Sequence, residues 1–98
     1  MISIEEACKI ALTKIPENKK IIEVWETDHL WVFVDETFEK PVIGPSPLAI
    51  FKADGDYAYC VPGEKNTWEY YVGPKKKIPF PEYLVTSGRA KFPVSSGN

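Results

Sequence analysis

An unbroken apolar run extends from Leu30 to Val34 and ends at Asp35. Side chains of a β-strand point alternately to the two faces of a sheet, so this strand presents apolar side chains on both faces. Such a strand has to be covered on both sides. We therefore expect a helix on one face and a second covering element on the other.

The start of the chain has the pattern of an amphipathic helix over residues 4–15. Ser3 and Glu6 have the spacing of a capping box, in which each side chain accepts a hydrogen bond from the backbone N–H of the other residue. Pro16 cannot continue the helix. Apolar residues recur at helical spacing, and three of them are small enough for close packing on a sheet: Ile4, Ala7, Cys8, Ala11, Leu12 and Ile15.

Two hairpins are predicted after this helix. Residues 21–26 and 30–35 are rich in β-branched and aromatic residues and are joined by the polar turn at residues 27–29. In the second hairpin, residues 47–52 pair with 56–61 through a type I turn with a bulge at Gly55. That register places Leu48 and Ile50 on the face toward the helix, and it places the aromatic residues Phe51, Tyr57 and Tyr59 together on the other face.

Two candidates could cover this aromatic face. One is the chain itself, because residues 68–72 can add a short strand or a turn of helix before prolines 74, 79, 81 and 93 exclude long regular structure. The other is a second protein, either a partner or another copy that forms a homodimer. The chain of 98 residues is predicted to be one α+β domain with about four antiparallel strands, a core over residues 3–72 and an irregular tail over 73–98.

Charge is distributed unevenly along the chain. Residues 1–60 carry eleven acids and six bases, and residues 61–98 carry three acids and six bases. An acidic body argues against a nucleic-acid partner, and the basic run Lys75–Lys77 is expected to be a solvated loop. The first residues of the chain lack the pattern of a signal peptide, and no apolar run is long enough to span a membrane. We therefore expect a cytoplasmic protein without a membrane partner.

The sequence offers no set of residues for catalysis, and we expect neither an enzyme nor a cofactor or metal. Cys8 and Cys60 have no zinc spacing and are expected to be buried thiols. His29 has no nucleophile beside it and is assigned to the turn. The carboxylates of Asp35, Glu36 and Glu39 lie at a strand end, where nothing suggests the burial that would separate their pKa values. An acid–base pair needs such a separation.

The order of these elements resembles the immunity protein 35 family, also called YrhB-like, of bacterial polymorphic toxin systems. The resemblance covers residues 3–61: an N-terminal helix, a strand, the aromatic strand, a Gly44-x-x-Pro47 turn and the Lys-x-Asp-Gly hairpin. It implies a small cytoplasmic α+β protein that binds a toxin and blocks it without activity of its own. The residues that match the family pattern are Trp31, Phe33, Gly44, Pro47 and Gly55.

The residues themselves point to a binding surface of two parts. Carboxylates concentrate in the first hairpin and the loop after it, where they could steer a basic toxin domain or merely keep the protein soluble. The aromatic face supplies the second part, and a chaperone-like protein that holds unfolded chains is the alternative function. The candidate partner-binding residues are Glu23, Glu26, Asp28, Asp35, Glu36, Glu39, Phe51, Tyr57 and Tyr59.

Overall fold

The computed structural model describes residues 1–35 and 47–90 of the chain. Helix α1 (Ile4–Lys14) is followed by the strands β1 (Ile21–Glu26), β2 (Leu30–Asp35), β3 (Leu48–Phe51) and β4 (Tyr57–Tyr59). A 3-10 turn (Lys65–Thr67), helix α2 (Glu69–Val72), strand β5 (Lys76–Ile78) and helix α3 (Glu82–Thr86) complete the described part. The strands form one antiparallel sheet in the order β4-β3-β2-β1-β5, which confirms the predicted α+β class.

Helix α1 begins with the predicted capping box. Ser3 Oγ accepts from the Glu6 N–H at 3.1 Å, and Glu6 Oε1 accepts from the Ser3 N–H at 3.1 Å. A cap of this kind stabilises a helix by about 1 kcal/mol. The small residues Ala7, Cys8 and Ala11 are fully buried, so α1 lies close against the sheet. The helix ends at Lys14, one residue before the predicted end, because Ile15 is extended.

Both faces of the sheet are covered, as the apolar run from Leu30 to Val34 requires. Phe33 on β2 belongs to a core beneath α1 and α3 that includes Ile21, Val24 and Leu84. The alternate β2 residues Leu30 and Val32 belong to a second core on the opposite face, with Ala49, Cys60 and Tyr70. The chain therefore supplies its own cover for the second face, from the segment that contains α2.

The C-terminal segment is more regular than the sequence predicts. Instead of an irregular tail, residues after Val72 add β5 as a fifth strand, and α3 places the fully buried Leu84 in the first core. Prolines 74 and 79 lie just outside β5, which among the described strands pairs with β1 alone and forms an edge of the sheet. Proline is tolerated at such positions because no ladder hydrogen bond is lost, so prolines did not exclude a short strand.

The pairing of β3 with β4 differs by one residue from the predicted register. Gly55 N–H donates to the Phe51 carbonyl rather than that of Lys52, and Ile50 lies opposite Tyr57. The backbone of Lys52 is engaged elsewhere, since its N–H donates to His29 O at 2.9 Å and its carbonyl accepts from Ile2 N–H at 2.8 Å. A shift of one residue moves side chains to the opposite face of a sheet.

This shift divides the predicted aromatic face. Phe51 packs on the second core, as predicted, but Tyr57 and Tyr59 lie on the α1 face opposite Ile50 and Leu48. The Nζ of Lys14 on α1 stands 4.3 Å from the centroid of the Tyr57 ring. The prediction that Phe51, Tyr57 and Tyr59 share one face is therefore wrong.

Candidate partner-binding surface

Helix α2 and the segments around it cover the second face of the sheet. The Tyr70 ring is buried against Leu30, Val32 and Ala49, which also raises the pKa of its hydroxyl to about 12 through burial. The 3-10 turn that precedes α2 buries Thr67 completely, and its Oγ1 has no hydrogen-bond partner among the described residues. Of the two possibilities predicted for residues 68–72, a short strand or a turn of helix, the structure has the helix, over residues 69–72.

Lys75 secures the chain where it leaves α2. Its ammonium lies 4.2 Å from the centroid of the Tyr70 ring and 5.0 Å from that of the Trp25 ring, and it donates to Tyr70 O at 3.2 Å. An ammonium between two aromatic rings is held by their quadrupoles. All three lysines of the predicted basic run are exposed, but the ammonium of Lys75 contacts two rings of the second core, and Lys76 and Lys77 lie in β5 rather than in a loop.

Glu69 joins α2 to the turn between β1 and β2. Its Oε2 accepts from the hydroxyl of Thr27 and from the His29 N–H, the latter at 2.8 Å, and its Oε1 lies 2.9 Å from His29 Nδ1. Burial raises the pKa of this carboxyl, but the hydrogen bonds from Thr27 and His29 and the charge of His29 outweigh it, so the pKa is lowered. His29 belongs to the turn, as the sequence predicts, and its ring is largely exposed.

The large exposed hydrophobic side chains of the described residues are concentrated in one part of the chain. Apart from Met1, all of them lie between residues 57 and 72, and each is between 37% and 62% exposed. We call this set the aromatic edge: Tyr57, Tyr59, Val61, Trp68, Tyr71 and Val72. Single exposed hydrophobic residues are ordinary on a protein surface, whereas several close together are a feature of contact surfaces, so the aromatic edge is a candidate for one.

Ring contacts join the four aromatic residues of the aromatic edge into two pairs, one on each face of the sheet. The Tyr57 and Tyr59 rings meet edge to face with centroids 6.2 Å apart. On the other side of β4, the Trp68 and Tyr71 rings have centroids 6.1 Å apart, and the Tyr71 hydroxyl donates to the Cys60 carbonyl at 2.5 Å. Aromatic side chains thus flank β4 on both faces of the sheet.

Sequence reasoning assigned only half of these aromatic residues to a contact surface. It placed residues 68–72 as a cover, and α2 does cover the second face through Tyr70. The neighbouring Trp68, Tyr71 and Val72 turn outward instead. A four-residue helix can bury one side only, so the aromatic density from residue 57 to residue 71 was the signal that part of the segment stays exposed.

The predicted acidic residues that the structure describes are not gathered into one surface. Glu23 and Trp25 lie on the α2 side, where Glu23 accepts from the Trp25 ring N–H at 2.9 Å and lies 3.8 Å from Lys77 Nζ. Glu26 lies on the α1 side and pairs at 2.8 Å with the buried Lys52, whose Nζ stands 4.6 Å above the Trp31 ring. The lysine partners offset part of the negative charge predicted for the hairpin.

Of the remaining predicted acids, Asp28 and Asp35 are described and lie in different parts of the first hairpin. Asp28 is exposed in the first turn, and Asp35 ends β2 in a partly buried position. Glu36, Glu39 and the Gly44 turn lie outside the described residues. Three other carboxylates stand nearer the aromatic edge, because exposed Asp54 and Asp56 precede β4 and exposed Glu64 follows Val61.

The two thiols are buried, as predicted. Burial, with the charge of Glu5, raises the pKa of Cys8 to about 12. Burial raises the pKa of Cys60 to about 12 although Lys75 opposes the change. Thiols with such a pKa are poor nucleophiles at neutral pH. Across residues 1–35 and 47–90, no three His, Cys, Asp or Glu side chains converge as a metal site requires.

The described helices include none with the length and apolar character that crossing a membrane requires. Comparison of the chain with protein-family models, with curated proteins and with solved structures gives no significant match.

Proposed function

We propose that this protein is a non-catalytic binding protein of the immunity type, which captures a toxin domain through the aromatic edge. The observation that carries the proposal is the concentration of exposed Tyr, Trp and Val side chains around β4 and α2. Tyrosine and tryptophan are the residues that most often anchor protein interfaces, since their rings bury a large area with few rotatable bonds.

The surroundings of the aromatic edge favour a basic partner. Asp54 and Asp56 border it at the start of β4, and Glu64 borders it beside Val61. Two exposed bases border it as well, because Lys65 lies between Glu64 and Trp68 and the Lys14 Nζ stands 4.3 Å from the centroid of the Tyr57 ring, so the carboxylates exceed the bases by one. An excess of carboxylates around an apolar surface raises the association rate of a basic protein more than its affinity. The same logic applies to Asp28 on the neighbouring hairpin turn.

A groove beside Trp68 adds a place for a side chain of the partner. It has a volume of about 500 Å³ and is lined by Gly63, Lys65 and Trp68. Binding energy in protein interfaces concentrates where an aromatic side chain borders a pocket from which water is excluded. Trp68 is therefore the residue whose removal should weaken binding most.

The test uses the product of the gene adjacent to the one that encodes this protein. Co-expression of the two proteins should restore growth to a host that the neighbouring product inhibits, and the purified pair should form a complex of fixed stoichiometry. Replacement of Trp68 by Ala should weaken binding roughly tenfold or more, as expected for an aromatic anchor. The control is Glu17→Ala, which changes an exposed residue beyond α1 and should leave binding unchanged.

The chaperone-like alternative uses the same exposed side chains, so stoichiometry separates the two functions. An immunity protein binds one folded toxin domain and suppresses its toxicity. A holding chaperone instead suppresses the aggregation of several unrelated unfolded proteins. Aggregation assays in which the wild type protects such proteins, together with unaltered toxicity of the neighbouring product, would overturn the immunity proposal.

A further inference from the structure

Strand β4 forms an outer edge of the sheet, because among the described strands it pairs with β3 alone. Ala58 lies opposite Ala49 in this ladder, in the middle of β4. Residues of an antiparallel strand alternately face toward and away from their neighbour. Tyr57 and Tyr59, on either side of Ala58, therefore point their backbone N–H and carbonyl groups away from the sheet, and Val61 does the same two residues later.

Two of these outward groups are bonded within the chain. The Tyr57 N–H donates to Asp56 Oδ1 at 2.9 Å, and the Val61 carbonyl accepts from the Glu64 N–H at 3.0 Å. Within the described part of the chain, four groups are left without a partner along the edge. They are the carbonyl of Tyr57, the N–H and carbonyl of Tyr59, and the N–H of Val61.

These four groups are complementary to those of a second copy in antiparallel order. When the two copies are centred on Tyr59, the Tyr59 N–H of each copy donates to the Tyr59 carbonyl of the other. The Val61 N–H of each copy then donates to the Tyr57 carbonyl of the other. The four interchain bonds use every free group. The facing groups that stay unbonded across the interface are the Tyr57 N–H and the Val61 carbonyl, which each chain already satisfies internally.

The same groups restrict how two copies can pair. A strand added in parallel order bonds through both the N–H and the carbonyl of every second residue. Among the outward residues of this edge only Tyr59 has both groups free, so two parallel copies would leave groups unpaired. An unrelated antiparallel strand would lack partners for its groups opposite the Tyr57 N–H and the Val61 carbonyl, and unpaired buried backbone groups are costly. An unrelated parallel strand can reach the four groups, and the experiments below separate it from a second copy.

The two outer edges of the described sheet contrast in their side chains. The β5 edge carries the exposed Lys76 and Lys77, and lysine on an edge strand discourages the addition of another strand. Strand β4 instead carries two exposed tyrosines and no charged residue. A twofold axis perpendicular to the sheet would keep the α1 faces of both copies on one side. Tyr59 would then meet Tyr59 of the second copy, and Tyr57 would lie beside Val61 of the second copy.

The exposed hydrophobic area is sufficient for a weak dimer. The six residues of the aromatic edge are each between 37% and 62% exposed. Since an aromatic residue buries about 150–250 Å² in full, these fractions amount to roughly 500 Å² per copy, or about 1,000 Å² for two copies. Specific interfaces begin at about 1,000 Å², which places such a dimer among the weak and reversible associations.

We propose that the free protein forms a homodimer in which β4 pairs antiparallel with β4 of a second copy about Tyr59. The dimer covers exposed side chains of the aromatic edge and bonds the four outward backbone groups. This inference goes beyond the proposed function and does not depend on it, since it concerns the protein without a toxin. Because both use the aromatic edge, capture of a toxin domain should separate the two copies.

Sedimentation velocity over a range of concentrations tests the dimer first. The sedimenting mass should rise with concentration from the 11.1 kDa of one chain toward twice that value. A protein that remains monomeric up to about 1 mM, where even a millimolar dissociation constant would be evident, would overturn the proposal.

Substitutions at Tyr59 test the position of the twofold axis. Tyr59→Lys sets two like charges opposite each other across the axis, whereas Tyr59→Gln introduces an uncharged side chain of similar length. We expect Tyr59→Lys to raise the dissociation constant of the dimer roughly tenfold more than Tyr59→Gln does, and added salt to reverse part of the difference. Thermal denaturation of the diluted variants verifies their folding. Equal dimerisation of the two variants would overturn a pairing centred on Tyr59.

NMR at high and low concentration tests the backbone pairing. The amides of Tyr59 and Val61 should be protected from hydrogen exchange at high concentration and lose this protection on dilution. The Ala58 amide, which bonds within the sheet, should stay protected at both concentrations. In a mixture of labelled and unlabelled chains, an isotope-filtered NOE should join the α-proton of Ala58 to that of Cys60 of the second copy, because residues of a non-hydrogen-bonded antiparallel pair lie closest. A dimer with neither this protection nor this NOE would overturn the proposed interface.

Addition of the neighbouring gene product separates this inference from the proposed function. A complex of one copy with one toxin domain, formed as the dimer dissociates, would support both. A free protein that is monomeric but binds the product would overturn the dimer alone. A toxin that adds to an intact dimer, or a dimer that does not bind the product, would overturn capture through the aromatic edge and leave the dimer standing. Protection of the Tyr59 and Val61 amides that appears only with the product would show a strand of the toxin at this edge and would overturn the dimer.

Discussion

Both oxygens of the Glu69 carboxylate contact His29. Oε2 accepts from the backbone N–H at 2.8 Å, and Oε1 lies 2.9 Å from the ring Nδ1. The two residues are 40 positions apart in the chain. Through this contact and the hydroxyl of Thr27, α2 is fastened to the β1–β2 turn. The fastening holds the cover of the second core in place and so positions the part of the aromatic edge that lies at α2, namely Trp68, Tyr71 and Val72.

Replacement of Glu69 by Gln should loosen α2. The amide keeps the shape of the side chain but loses the charge that strengthens its hydrogen bonds from Thr27 and His29, and we expect a loss of about 1–2 kcal/mol in the free energy of unfolding. Urea denaturation measures the loss. Amides of α2 should exchange faster in the variant while those of β2 change less. Uniform acceleration over the whole molecule would contradict a local fastening role.

Acidification should remove the stabilisation that the ionised Glu69 carboxyl provides. The pKa of Glu69 is lower in the folded protein than its ordinary value, so the ionised carboxyl stabilises the fold above that ordinary value. The contribution is lost as the pH falls through the folded-state pKa, because the folded protein then takes up the proton that the unfolded chain already holds. The stability gap between wild type and Glu69→Gln should therefore narrow below about pH 4.5. A gap that widens on acidification would contradict this assignment.

We expect Arg89 to stabilise the segment that follows the C-terminal end of α1. Its guanidinium is buried and donates to the carbonyls of Ile15, Pro16 and Lys19 at 3.0, 2.8 and 3.2 Å. Arg89→Met should lower the free energy of unfolding by roughly 2–4 kcal/mol, since it takes the guanidinium from the Ile15 and Lys19 carbonyls, near the negative end of the helix dipole, and leaves the Pro16 carbonyl with the Lys19 N–H alone. Arg89→Lys should recover part of the loss. Urea titrations that place Arg89→Met within about 0.5 kcal/mol of wild type would contradict this role.

A side chain at Gly55 should be unfavourable for two separable reasons. Its φ of +80° lies in the left-handed region, and an added Cβ would stand 3.1 Å from Ile10 Cδ1 on α1. Gly63 has a φ of +93°, and a Cβ added there would have no neighbouring atom within 4 Å. It is therefore a matched control in which a substitution introduces only the backbone strain. Gly63→Ala should cost about 1 kcal/mol and Gly55→Ala more.

A third variant tests the contact between Gly55 and α1 directly. Ile10→Val removes the Cδ1 atom that the added Cβ would approach. In the Ile10→Val background, the cost of Gly55→Ala measured by thermal denaturation should fall toward that of Gly63→Ala. An unchanged cost would show that strain alone, and not the contact with α1, excludes a side chain at this turn.

Much of the local structure could be predicted from the sequence because its signals are local. The capping box at Ser3 and Glu6 and the spacing of small apolar residues predicted α1, and the strands at residues 21–26 and 30–35 have the predicted boundaries. The apolar run from Leu30 to Val34 required two covers, and both are present. Hydrophobic periodicity specifies such elements without knowledge of their neighbours.

The candidate surface was predicted less completely, because it depends on contacts between distant residues. The register of β4 followed from the engagement of Lys52 by His29 and Ile2, which no turn motif encodes, and this placed Tyr57 and Tyr59 on the α1 face. Lys77, the partner of Glu23, lies on β5, and Lys52, the partner of Glu26, directly follows β3. Local patterns carry no information about which lysine meets which carboxylate.

By itself, the sequence determined the elements, the need to cover the sheet on both faces and the abundance of aromatic residues from Tyr57 to Tyr71, because these follow from composition and periodicity along a strand or helix. The tertiary structure decided which aromatic rings are buried and which form an exposed edge. Tyr70 turns inward while Trp68 and Tyr71 turn outward, since a single helical turn fastened by Glu69 can present only one side to the sheet.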